Sequence, residues 1–163
     1  MIRKAEVKDA SRLAEILIFT KRIAYREIFN NDKVSFNEMQ VLDLALDFRD
    51  KESQLEDLYV YDDGILKGLI RWRRIDDIDI ENSIEIFELY VETFFQGQGI
   101  GNILIKDCIE YAKKQSVNKI FLWVLEKNYN ARKFYEKHNF KQDNIIKFED
   151  GTSEILLRYK LEI

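Results

Sequence analysis

The stretch Gln96-Gly97-Gln98-Gly99-Ile100-Gly101 constrains this chain more than any other. Ahead of it, Ile84–Val91 alternates and is rich in β-forming residues. After it, Ile100, Ile103, Leu104, Asp107, Cys108 and Tyr111 recur at helical spacing. A strand, a glycine-rich turn and a helix start therefore follow one another. Glycine lacks a Cβ, so backbone N–H groups there can approach a ligand closely. The first turn of a helix leaves about four N–H groups without intrahelical acceptors, and its dipole favours negative charge. The combination predicts a phosphate or pyrophosphate site.

Three phosphate loops compete for this pattern. A Walker-type loop needs Lys-Ser/Thr after its last glycine, and Asn102-Ile103 stands there instead. A dinucleotide fingerprint, G-x-G-x-x-G, is met by Gly97 and Gly99 but has Asn102 at its third glycine. An acyl-CoA loop, Q/R-x-x-G-x-G/A, is satisfied by Gln96, Gly99 and Gly101.

A second motif lies downstream. Lys119–Leu125 reads as a strand, and Asn128-Tyr129-Asn130-Ala131-Arg132-Lys133-Phe134-Tyr135-Glu136-Lys137-His138-Asn139-Phe140 follows it. With the glycine loop, this resembles the GNAT superfamily of acyl-CoA-dependent N-acyltransferases. Asn128, Ala131, Phe134, Tyr135, Glu136, Lys137 and Phe140 fall in register with the family's pattern. The close resemblance covers roughly residues 85–140. The chain departs from it where Thr93 replaces a common proline and Asn139 replaces a glycine. Asn is the next-best residue for the left-handed conformation that ends a helix.

The resemblance implies acetyl-CoA as co-substrate, a primary amine as acceptor and direct attack by that amine. It also implies an α/β (α+β) mixed sheet, mostly antiparallel and twisted, of about seven strands flanked by about four helices. Coenzyme contacts then fall on Gln96, Gly97, Gln98, Gly99, Ile100, Gly101 and Asn102, with pantetheine along Leu89, Tyr90 and Val91. Tyr135 is the candidate general acid, because a phenol of pKa about 10 can donate to a departing thiolate. Asn128 is a coenzyme ligand or an ordinary helix cap. Glu88 is the candidate that binds or deprotonates the acceptor. An alkylamine of pKa about 10.4 is only about 0.1% neutral at pH 7.4, a deficit of about 4 kcal/mol. Glu92 is a lesser candidate. No His/Cys cluster suggests a metal site. The acceptor is expected to be a small molecule. A protein or peptide amine, or an acyl-CoA sensor without turnover, are the alternatives.

The length of 163 residues suits one domain, residues 1–163, able to bury about 70% of its unfolded surface. A net charge of −4 argues against nucleic-acid binding, and no apolar run suits a membrane span. With one cysteine, Cys108, and no signal-peptide core at the N-terminus, a cytoplasmic protein is expected.

Along the chain, the order expected is β-α-α-β-β-β-α-β-α-β-β. Asp9 is read as the N-cap of the first helix, and residues 22–36 as irregular, helix remnants and loop. Ser35 and Glu38 form a capping box that opens a second helix lined by Met39, Leu42, Leu46 and Phe48. An acidic run, Asp76, Asp77, Asp79 and Glu81, follows the third strand. The resemblance makes a homodimer possible, with an edge strand of the closing hairpin as a plausible contact.

Overall fold

The computed structural model describes residues 1–77 and 80–163, and for residues 76, 77, 80 and 81 it describes the backbone only. The acidic run from Asp76 to Glu81 lies outside the described side chains.

Among the described residues there are seven strands: β1 (Ile2–Lys4), β2 (Leu58–Asp62), β3 (Leu66–Asp77), β4 (Ile80–Val91), β5 (Lys119–Leu125), β6 (Lys141–Phe148) and β7 (Ile155–Glu162). They form one sheet in the order β1-β2-β3-β4-β5-β7-β6. The pairs β1–β2, β2–β3, β5–β7 and β6–β7 are antiparallel, and β4–β5 is parallel. The α-helices among the described residues are α1 (Ala10–Phe29), α2 (Val41–Asp50), α3 (Ile100–Lys114) and α4 (Tyr129–Lys137). None is long and apolar enough to cross a membrane. The element order and the mixed sheet are those expected.

The chain divides into two compact units. The first comprises Met1–Trp72 with Glu88–Cys108, and the second Arg73–Phe87 with Ile109–Ile163. In the first unit, Leu13, Ala14, Ile16 and Leu17 of α1 and Phe48 of α2 pack on Leu58, Val60 and Leu69 of the sheet. Each such large apolar side chain contributes about 1.5–3 kcal/mol by leaving water. Arg3 fastens the start of this unit. Its Nη1 and Nη2 donate to the two Asp9 oxygens at 2.7 and 2.9 Å, and its Nε and Nη2 reach Asp62 Oδ2 at 3.0 and 2.8 Å. The guanidinium holds both carboxyl groups below the usual carboxylate range, Asp9 despite its burial. In the second unit, Ile120, Leu122 and Val124 of β5 are buried with Leu157 and Tyr159 of β7 and Phe140.

Three local expectations are corrected. First, residues 22–29 are not helix remnants: α1 continues unbroken to Phe29, where Asn30 ends it at φ +49°. Tyr25 and Phe29, one turn apart, make an edge contact at 6.1 Å that supports the last turns. Second, Asp9 does stand at the N-cap position of α1, as expected, but makes no side-chain capping bond to it. Its carboxylate accepts the Glu6 amide at 2.9 Å and serves the Arg3 clamp instead. Third, Ser35 and Glu38 lie in a π-helical turn, Val34–Glu38, and α2 begins only at Val41. Consequently Leu42 is exposed, while Val41, Leu44 and Ala45 pack against the core beside Phe48.

Candidate active site

The glycine turn adopts the shape that its composition requires. A short 3₁₀ turn, Thr93–Phe95, follows β4, and Gln96 is extended at φ −65°, ψ 155°. Gly97 and Gly99 then take φ of +76° and +85°, a region that side-chain-bearing residues rarely adopt. Beyond the chain neighbours, no atom of the described residues lies within 4 Å of a Cβ built on either glycine, so the space beside each is open. The Gly99 carbonyl accepts the Ile103 amide at 3.1 Å, and α3 starts at Ile100. The amides of Ile100 and Gly101, in the first turn, have no intrahelical acceptor in such a register. Gln96 folds back, its Nε2 donating to the Val91 carbonyl at 3.1 Å, and so ties the turn to the end of β4. Gln98 is exposed, and Gly101 and Asn102 are half-buried at the helix start.

A feature absent from the motif sets the position of this turn. A Cβ on Gly68 of β3 would sit 3.0 Å from the Tyr90 carbonyl and 3.2 Å from both Ile100 Cγ2 and Leu104 Cδ1. Gly68 therefore lets the first turn of α3 lie close to β3 and β4. Ile100 and Leu104 are buried there, whereas Ile103 is exposed. The sequence signal was an isolated glycine within a strand, which commonly marks close backbone approach.

Leu89, Tyr90 and Val91 are half-buried and end β4. The parallel β4–β5 ladder pairs Ser83–Ile86 with Lys119–Leu122 and ends there, before these residues. Glu88, on the same strand face as Tyr90, lies in a charge cluster. Lys21 Nζ donates to its Oε1 at 3.2 Å and Arg71 Nε to its Oε2 at 2.9 Å. Burial raises the Glu88 pKa, but the two cations outweigh it and the net direction is down. The Tyr25 and Tyr90 hydroxyls are 3.0 Å apart, and Lys21 Nζ lies 5.8 Å from the Tyr90 ring centroid. Lys21 and Arg71 were not singled out from the sequence, because they come from distant segments. Glu92 is buried and paired to Arg12 Nη2 at 2.8 Å.

The remaining candidates belong to the second unit. Asn128 is the N-cap of α4, its Oδ1 accepting the Ala131 amide at 3.3 Å. Tyr135 contacts Phe134 and Phe140 edge-on at 5.4 and 5.8 Å. Asn139 follows α4 at φ +66°, the left-handed role expected of it. Tyr159 holds α4 against β7: its hydroxyl donates to Glu136 Oε1 at 2.8 Å and accepts from Arg132 Nε at 3.1 Å. Cys108 of α3 is fully buried, and burial pushes its thiol pKa well up, so it is an inert core residue.

An uncharacterized N-acetyltransferase of Methanocaldococcus jannaschii is 38% identical over 73 residues, which cover 45% of this chain and 32% of that protein. An uncharacterized N-acetyltransferase of Archaeoglobus fulgidus is 40% identical over 58 residues, 36% of this chain and 40% of that protein. The chain thus spans less than half the length of these curated relatives. Over 99% of this chain and 98% of the other, the fold resembles that of the PaiA N-acetyltransferase of Thermoplasma acidophilum in complex with coenzyme A, with a TM-score of 0.68 at 23% identity. The pattern of the acetyltransferase (GNAT) family matches residues 22–140. This chain belongs to the GNAT family of acetyltransferases.

Proposed function

We propose that residues 1–163 form a single N-acetyltransferase domain, which moves an acetyl group from acetyl-CoA to the primary amine of a small molecule. The observation that carries this reading is the open glycine turn at Gly97 and Gly99, which leads directly into the first turn of α3. The residues present fit the coenzyme. Backbone amides are available at a helix N-terminus, and among the described residues nothing beyond the chain neighbours crowds the Cβ positions of Gly97 and Gly99. When bound, acetyl-CoA supplies the thioester acyl group. The amides around Gly99 hold its diphosphate, with Gln96–Asn102 forming the cradle. The backbone of Leu89–Val91, beyond the end of the β4–β5 ladder, pairs with its amides. Asn128 keeps α4 capped.

Tyr135 donates the proton that the leaving sulfur requires. Tyr135→Phe removes only the hydroxyl and leaves the ring that packs on Phe140. The expected result is a fall in kcat of about 100-fold, the lower range for a general acid, with unchanged acetyl-CoA affinity. Steady-state kinetics together with calorimetry separate the two quantities, and an unchanged kcat would remove Tyr135 from the mechanism. Glu88 takes up the proton of the acceptor through water.

The decisive experiment is titration calorimetry with acetyl-CoA, followed by a free-thiol assay on a panel of amines and peptides. Binding with amine-dependent thiol release is expected. Absence of heat at millimolar acetyl-CoA would end this reading. Binding without thiol release for any acceptor would favour a sensor, and release with peptides alone a protein acetyltransferase.

A further inference from the structure

The cluster around Glu88 carries more positive charge and more donors than its one carboxylate uses. Lys21 comes from α1, Arg71 from β3 and Glu88 from β4, all within the first unit. Two cations share a single carboxylate, one on each oxygen, which leaves a net charge of +1. Neither cation is at the open surface: the Arg71 side chain is 17% exposed and that of Lys21 31%. Arg71 gives one further N–H, from Nη1 to the Gln54 carbonyl at 2.7 Å. Three of the five Arg71 N–H donors and two of the three on Lys21 thus have no protein acceptor among the described residues. Half-buried cationic donors in excess of their acceptors favour an anionic guest. The adjoining Tyr25 and Tyr90 rings give the cluster an apolar wall with a polar tip.

We propose that Lys21 and Arg71 bind an anionic group of the acceptor, and that the acceptor is an amine carrying a carboxylate, of the amino-acid type. This deepens the reading of the chain as an N-acetyltransferase and rests on it for the identity of the acceptor. A carboxylate brings one negative charge, which matches the surplus of one; a phosphate dianion would overshoot it. Each Glu88 oxygen keeps a lone pair beyond the bond it already accepts, and its charge suits the acceptor's ammonium. A simple diamine would instead set its cations against Lys21 and Arg71.

The test compares amines that differ only in the carboxylate: phenylalanine with phenethylamine, leucine with isopentylamine, and lysine with cadaverine. Affinity for the full chain is measured by calorimetry with and without coenzyme A, and thiol release from acetyl-CoA is measured in parallel. The carboxylate-bearing member of each pair is expected to bind about 10- to 100-fold more tightly, the value of a charge-assisted hydrogen bond or two. Lys21→Gln and Arg71→Gln are each expected to reduce that ratio about tenfold, and Arg71→Lys to retain more of it than Arg71→Gln. Thermal denaturation reports whether each variant folds. Equal or weaker binding of the carboxylates by the unaltered chain overturns the proposal, as does a ratio untouched in both glutamine variants. The arm without coenzyme A decides this even if the chain ignores acetyl-CoA, so failure of the subsite and failure of the acetyltransferase reading remain distinct.

Discussion

Replacing Gly99 with valine is expected to weaken acetyl-CoA binding about 100-fold while lowering the melting temperature by only a few degrees. Gly99 sits at φ +85°, where an L-residue sets its Cβ against the carbonyl oxygen at a cost of about 1–2 kcal/mol. A β-branched residue is disfavoured there more strongly still. A Cβ at this position meets nothing within 4 Å beyond its chain neighbours among the described residues, so the first carbon of the added side chain has room and the main penalty is conformational. The turn can relieve it only by rotating Gly99 to negative φ. That rotation re-aims the peptide planes entering α3, including the Ile100 amide and its neighbour. Loss of two charge-assisted bonds at about 1.5 kcal/mol each gives about 3 kcal/mol, or roughly 100-fold in affinity. Calorimetry with acetyl-CoA and thermal denaturation of the same variant check the two halves. Undiminished affinity would mean that the coenzyme is seated elsewhere, and a large melting-point loss that the turn is part of the core.

The contrast between Gly99 and Gly68 shows what a sequence reveals of such a site. Gly97 and Gly99 were legible because the cause is local: glycines between a strand pattern and a helix pattern specify the turn and the helix start together. Asn139 was legible for the same reason, as a residue suited to positive φ just past a helix. Gly68 gave only the general signal of an isolated strand glycine, because the reason for it lies in Tyr90, Ile100 and Leu104, more than twenty residues away. Lys21 and Arg71 are likewise ordinary charged residues until the fold brings α1 and β3 to Glu88 of β4, which the sequence had already singled out. Ser35 misled, and Asp9 took its N-cap position without making a capping bond, for a related reason. Each has the side chain of a cap, but Arg3 engages Asp9 and the π-helical turn takes up Ser35. Local chemistry thus announced where a phosphate could sit, while the acceptor side depends on contacts between distant segments.

Glu88 offers the other large effect. Glu88→Ala is expected to destabilise the protein by about 2–3 kcal/mol, because it leaves Lys21 and Arg71 facing one another without their shared carboxylate. Removing one member of a buried ion pair costs about 3–5 kcal/mol, and the partial exposure of Lys21 moves the expectation below that range. Glu88→Gln keeps the shape and the acceptor but not the charge, so a smaller loss is expected. The pH dependence separates charge from packing. The folded-state pKa of Glu88 is depressed, so its ionic contribution is fully present above the unfolded carboxylate value of about 4.3. It is lost as pH falls through the lower folded value. The melting-temperature gap between the native chain and Glu88→Gln is therefore expected to be wide at pH 7 and to close in acid below pH 4. A gap independent of pH would mean that the glutamine disturbs packing rather than charge. The rate gives an independent reading. If Glu88 relays the proton of the acceptor, only acceptor already neutral in solution can react in Glu88→Gln. The rising limb of kcat/KM against pH is then expected to move to higher pH, and a limb that stays in place would reduce Glu88 to holding Lys21 and Arg71.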